Sequence, residues 1–214
     1  VHHTTDRTQL ERIATLTTIE EGASLTIRSQ GNLHLNAVHL QSAGDMTLQA
    51  QGNVKSNAQT ERWQETITFG RQNQWSQTRQ QDRGSVLQAH GSMQLYAGGD
   101  MAGTAVNLST QKDLSLRAKG AIQFEPGHTH TIFDDEWYSR DKGFLSSSTA
   151  HFKRHQEETR SQPNTFTGNT VRWEAERIEA SDLQIEAKEL IRLYGREGLT
   201  FKSGEESLFY EEKT

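Results

Sequence analysis

The chain has 214 residues, with 23 Lys and Arg against 28 Asp and Glu, a net charge of −5, 32% hydrophobic residues and no cysteine. That balance excludes a basic nucleic-acid binder, so no nucleic acid is expected as a partner. The lack of cysteine excludes disulfide stapling and thiol chemistry, and no apolar run approaches the ~18 residues of a membrane-spanning helix. The apolar share falls below that of an ordinary globular domain and suits an extended object with a thin core. With no initiator methionine before Val1 and no signal sequence, the chain reads as a segment of something longer.

Residues 1–22 carry no repeat and run directly into one, so they read as the returning arm of an excursion from a repeating body. From Leu25 onward apolar residues recur every 21 positions. Leu25-Thr26-Ile27, Met46-Thr47-Leu48, Met93-Gln94-Leu95, Leu114-Ser115-Leu116 and Ile191-Arg192-Leu193 form a first column, with Val171 one residue out of step. Leu33, Val54, Met101, Ile122, Ile178 and Leu199 form a second. Val38-His39-Leu40, Val106-Asn107-Leu108 and Leu183-Gln184-Ile185 form a third.

Each segment alternates apolar and polar, the period of a strand with one buried face. Gly31-Asn32, Gly44-Asp45, Gly52-Asn53, Gly91-Ser92, Gly99-Asp100 and Gly120 mark corners, where positive φ or a tight bend is expected. Three short strands per 21 residues then complete one lap, and stacked laps turn each column into a parallel sheet. The expected fold is all-β, a parallel β-helix of about six rungs in a single unit over 1–214.

Two further stretches leave the repeat, at about 58–84 and 125–165. Each departs after a second-column residue, Val54 or Ile122, and returns before a first-column one, Met93 or Val171, so both are expected to leave at the third-column position and on one side. Their β-prone runs, such as 63–69 and 129–133, predict antiparallel hairpins packed side by side along the coil. Three of the four tryptophans fall there. Trp63, Phe69, Trp75, Phe133, Trp137, Tyr138 and Phe144 are candidates for a partner-contact surface. Packing of such aromatics, with Phe152, between hairpins and coil is the competing reading.

Gly31-Asn32-Leu33-His34-Leu35-Asn36-Ala37 and Gly44-Asp45-Met46-Thr47-Leu48-Gln49-Ala50 resemble the haemagglutinin repeats of large bacterial two-partner secretion exoproteins. Those include filamentous haemagglutinin adhesins and contact-dependent growth inhibition toxins. Lys142-Gly143-Phe144-Leu145-Ser146-Ser147-Ser148, followed by His155-Gln156-Glu157-Glu158-Thr159, is similar to the arms that interrupt the second kind of haemagglutinin repeat. The resemblance implies a right-handed coil within a filament that is secreted or held at the bacterial surface. It also implies export through an outer-membrane two-partner transporter and contact with a component of the target-cell surface or envelope. It does not separate an adhesin from a toxin that delivers a distal effector.

A carbohydrate-binding or polysaccharide-cleaving β-helix is the alternative, since fold does not fix function. Glycoside hydrolysis needs two carboxyl groups across one site, yet Asp45, Asp100, Asp113 and Asp182 mostly occupy corners, and Asp134-Asp135-Glu136 reads as a solvated hairpin. His128 and His130 share one side of a strand, with His151 and His155 on the arm that returns. They are the candidates for a zinc site, although exposed polar residues explain them more simply. Neither a catalytic residue nor a cofactor is expected. Open sheet edges at both ends of the coil predict end-to-end self-association.

Overall fold

The computed structural model describes residues 1–9, 12–70, 72–143 and 146–213, and within them the chain is strand and turn without helix. The first column stacks in parallel register: Leu25 on Met46, Met46 on Met93, Met93 on Leu114, Leu114 on Val171 and Val171 on Ile191. The second runs Leu33, Val54, Met101, Ile122, Ile178 and Leu199. The third runs Leu16, Leu40, Leu87, Leu108, Phe166 and Ile185. Three walls of parallel strands enclose one slender core, so the fold is a parallel β-helix.

Period-two alternation puts one set of side chains inside. Along Met46–Ala50 the residues Met46, Leu48 and Ala50 are fully buried while Thr47 and Gln49 face outward. Towards the C-terminal end the core changes from aliphatic to aromatic. Phe124, Phe166 and Trp173 meet with ring centroids 4.6–5.3 Å apart, and Gly103 leaves room for the Phe124 ring on the rung before.

Three details differ from the sequence-based expectation. Val171 is in line with its neighbours, because its own rung is one residue shorter than the rungs on either side at each of two corners, around Asn169 and Glu176. The third wall is not interrupted by the excursions: Val86–Ala89 and 165–167 both occupy it, and the hairpins are inserted at the corner before it. Residues 1–22 are not one arm, since Thr15–Thr17 already lies in the third wall beside His39–Ser42.

The corner glycines also differ in their reason. Gly31, Gly44, Gly52, Gly91, Gly99 and Gly120 all have ordinary negative φ. All of them but Gly31 are needed for close approach. Asn32 Oδ1 accepts the Asn53 N–H at 2.9 Å, Asn53 Oδ1 accepts Asp100 N–H at 2.8 Å, and Asp100 Oδ1 accepts Ala121 N–H at 2.8 Å. Each accepting oxygen occupies the space that a Cβ on Gly52, Gly99 or Gly120 would fill. Asp45 makes the same link to Ser92 N–H at 2.7 Å, next to Gly91. The Gly-Asn/Asp pair is thus one device: the polar side chain ties its rung to the next, and the glycine there makes room for it.

Positive φ appears at the corner between the second and third walls, on Ala37 (49°), Ala105 (51°) and Asp182 (46°). Each of the three donates its N–H to the last second-wall carbonyl of the following rung, Asn57, Glu125 or Lys202, at 2.9–3.1 Å. These are the tight versions of that corner. In between, the same corner opens into Gln59–Phe69 with Asn73–Arg83, and again into Gly127–Lys142 with Ser147–Gln162. Hairpin and tight corner therefore alternate.

Spacing explains the alternation. Strands lie about 4.8 Å apart, whether they are rungs of a wall or arms of a hairpin, so one two-armed hairpin fills the height of two rungs. The hairpins consequently bond edge to edge. His2–Thr8, Gln59–Phe69, Asn73–Arg83, Gly127–Lys142, Ser147–Gln162 and Ser207–Lys213 form one six-stranded antiparallel sheet in that order. The returning hairpin also serves the tight corner below it. Buried Ser85 Oγ accepts Val38 N–H at 3.2 Å, and buried Asn164 Oδ1 accepts Val106 N–H at 3.0 Å, which leaves neither corner amide orphaned.

Candidate contact surface on the hairpin sheet

Alternation and register sort the hairpin side chains onto two faces. Trp63 lies opposite Arg79 and Arg7, Ile67 opposite Trp75, and Trp75 opposite Asp135, so Trp63, Phe69, Trp75, Phe133 and Trp137 share one face. Tyr138 is on the other, where it stacks on His151 at 4.3 Å. Phe144 lies outside the described residues.

The aromatic face is built from contacts between hairpins and not, as packing on the coil would require, from contacts with the core. Phe69 stacks on Trp137 across 5.6 Å, and Trp75 meets Phe133 edge-on at 5.8 Å. None of these rings belongs to the buried core cluster. Phe69 and Trp137 remain 36% and 42% exposed, so they present apolar surface to solvent. Beside Trp63 an open basin of about 440 Å³ is lined by Arg7, Gln77, Arg79 and Gln81 among others.

Asp135 sits in the middle of this face, next to Phe133 and Trp137 along the strand and beside Trp75 across it. It is 9% exposed, unlike its neighbours Asp134 and Glu136, so the acidic triplet is not uniformly solvated. Its Oδ2 takes the Arg154 Nη2 at 3.1 Å, and the same guanidinium lies 4.7 Å over the Phe133 ring. Sequence reasoning passed over this pair. The signal was the apolar-acidic-apolar alternation of Phe133, Asp135 and Trp137, which forces the carboxylate onto the aromatic side.

The four candidate zinc ligands are dispersed on the opposite face, among polar side chains with Ile132, Tyr138 and Phe209. Register places His155 against Asp134, His151 against Tyr138, His130 against Thr159 and His128 against Ser161. The imidazoles take carboxylates instead of each other. His155 Nδ1 is 2.6 Å from Asp134, His130 Nε2 2.7 Å from Glu157, and His151 Nε2 2.7 Å from Glu136. His128 Nδ1 stands 3.9 Å from Asp82. Among the described residues no group of three or more His, Cys, Asp or Glu side chains is placed to hold a metal ion. The corner acids are likewise occupied: Asp113 accepts Thr170 Oγ1 at 2.6 Å, and Asp182 accepts Ser161 Oγ at 2.5 Å.

His155 is held above its ordinary pKa, first by the hydrogen bond to Asp134, then by the charges of Asp134 and Glu157, against some lowering from burial. A His raised in the folded state adds stability that is complete below its unfolded pKa of about 6.5 and is lost as pH rises through the folded value. Titration of the His155 imidazole by NMR should therefore give a midpoint above 6.5, which Asp134→Asn brings down. Glu211, opposite His155 on Ser207–Lys213, is shifted the other way, chiefly by its bond to Lys213.

The hemagglutinin repeat model matches residues 66–177, just over half of the chain, from the first hairpin through the second and into the aromatic part of the core. No curated protein and no solved structure matches the chain. Within the matched stretch lie the Gly-Asn/Asp corner device, a complete hairpin-bearing corner and a complete tight one. The chain belongs to the hemagglutinin repeat family and is a structural, adhesin-like repeat of the kind found in secreted or cell-surface proteins.

Proposed function

We propose that this coil is a rod segment of a large exoprotein exported through an outer-membrane two-partner transporter. In this reading it holds an adhesive tip or a growth-inhibiting effector away from the producing cell and towards the envelope of a neighbour. The observation that supports it most is how the polar groups are used. Asn32, Asp45, Asn53 and Asp100 tie rung to rung, and Ser85 and Asn164 tie hairpin to corner, so the polar side chains at the corners of the coil serve the axial bonds of a rod.

The experiment is an in-phase excision within the exoprotein that carries the segment. Removing 39–106 joins Val38 to Asn107 and deletes two rungs with one hairpin, which preserves both wall register and hairpin alternation. A spacer tolerates this, so surface display and effector delivery or adhesion should persist. Intact display with lost activity would instead make the removed hairpin a recognition element.

A further inference from the structure

The hairpin sheet has one face that its own chain leaves uncovered. Ile67, Phe69, Trp75, Phe133, Trp137 and Phe152 gather there towards the hairpin ends, apart from the core of the coil. Lengthening the coil in either direction adds rungs and arms in line with those present, at the edges of the sheet, and leaves this face as it is. Antiparallel sheets commonly pack one face and solvate the other, and the face with the rings is the one suited to packing.

Its charges point to the occupant. Across the four arms between residues 59 and 162, from the coil out to Phe69 and Trp137, the face carries Arg79, Arg83, Arg154 and Arg160, four matching carboxylates that include Asp135 and Glu158, and no lysine. A face balanced in this way does not repel another like it, and arginine with aromatic rings in the absence of lysine is the composition of a protein interface. In the middle of the rings, Asp135 Oδ1 and Arg154 Nε have no hydrogen-bond partner. One lacks a donor and the other an acceptor, so the group that satisfies this pair is the same pair turned round. We propose that a second copy of this chain packs its hairpin sheet face to face on this one, about a two-fold axis, with each Arg154 turning to the Asp135 of the other copy. Such an interface is isologous, each contact occurring twice.

Size sets its strength. Four arms about 4.8 Å apart, each nine residues long at about 3.4 Å per residue, give a face of roughly 19 by 31 Å, on the order of 600 Å². Two copies together bury on the order of 1,200 Å², the lower limit of a specific interface. The chain by itself therefore forms a weak dimer, and a longer coil with more hairpins holds its neighbour more firmly, because each further contact is made within one complex. Rods joined in this way lie side by side. Lateral pairing goes beyond the spacer role and needs only a folded hairpin sheet.

The test is sedimentation equilibrium of the purified chain over a concentration series, where a monomer–dimer equilibrium is expected. Phe69→Arg should weaken dimerisation about tenfold or more, whereas Thr68→Arg, one residue away on the opposite face, should leave it unchanged. Asp135→Arg and Arg154→Asp each set like charges against each other across the axis, so each variant alone should be monomeric. Mixed one to one, they restore both pairs and should form a heterodimer. Far-UV circular dichroism checks the fold, and Phe69→Arg, on an exposed residue, decides the matter where a charge variant loses strand signal. A parent chain that stays monomeric at high concentration would overturn the proposal. So would association that survives Phe69→Arg or falls equally with Thr68→Arg, since it then runs through another surface, and so would folded charge variants that fail to pair when mixed. None of these results bears on the excision experiment, which reads display and activity.

Discussion

Leu114→Asp abolishes the coil. Leu114 is fully buried between Met93 below and Val171 above, and no polar group of either neighbour can meet a carboxylate. Removing the aliphatic group alone costs about 2–5 kcal/mol, and an unpaired buried charge adds several more. That sum is comparable with the whole ~5–15 kcal/mol of a folded domain. In a stacked repeat the damage also spreads, because each rung depends on its neighbours for burial. Far-UV circular dichroism at 25 °C should lose most of its strand signal, and urea should produce no cooperative transition. Trp137→Ala is the control. It removes one exposed stacking partner of Phe69 on the hairpin sheet, worth about 1 kcal/mol, and leaves the coil intact. Equal collapse in both variants would mean that coil and hairpins are not separate layers.

Gly98→Ala is the second large effect, although it adds a single methyl. Gly98 N–H donates to Ala50 C=O at 2.9 Å, which draws it onto the preceding rung. A Cβ at Gly98 would overlap the Gln51 carbonyl oxygen and lie 2.8 Å from the carbon behind it. Backbone cannot rotate aside as a side chain would, so the rungs must part locally. The expected loss is about 3 kcal/mol, the upper end of overpacking, read as a lower urea midpoint with an unchanged slope. Gly31→Ala should be near neutral, because nothing lies within 4 Å of its added methyl. Asn53→Ala lies between the two at about 1 kcal/mol, since the Asp100 amide it abandons can turn to water.

Those contrasts also mark what could be read from sequence. The columns were legible because alternation and a fixed interval both report the same inward face, and Leu25 over Met46 or Met93 over Leu114 follows from counting. Val171 misled by one position because counting cannot see that its rung is a residue short at the corner before it. The third wall was undercounted because Leu87 and Phe166 stand immediately after long excursions, where no interval leads to them. The hairpins were legible as β-prone runs, but their fusion into one sheet was not, since edge pairing depends on rung height and not on any local motif. For the contact surface, five of the named aromatics share a face by strand parity. Tyr138, one residue out of parity, does not. The corner glycines carried a second ambiguity: sequence marks a glycine without distinguishing positive φ from close approach, and here Ala37, Ala105 and Asp182 took the former role.

The alternation of hairpin and tight corner has a mechanical consequence. A bare three-walled tube resists bending almost equally in every direction. Here a plate of antiparallel strands, hydrogen-bonded along the same axis as the walls, is fixed down one flank. Flexing the rod within the plane of that plate must stretch or compress every inter-strand bond far from the neutral line, whereas flexing across it strains few. The molecule should therefore behave as a finned beam, compliant in one plane and stiff in the other, and any curvature it takes up will have a preferred direction.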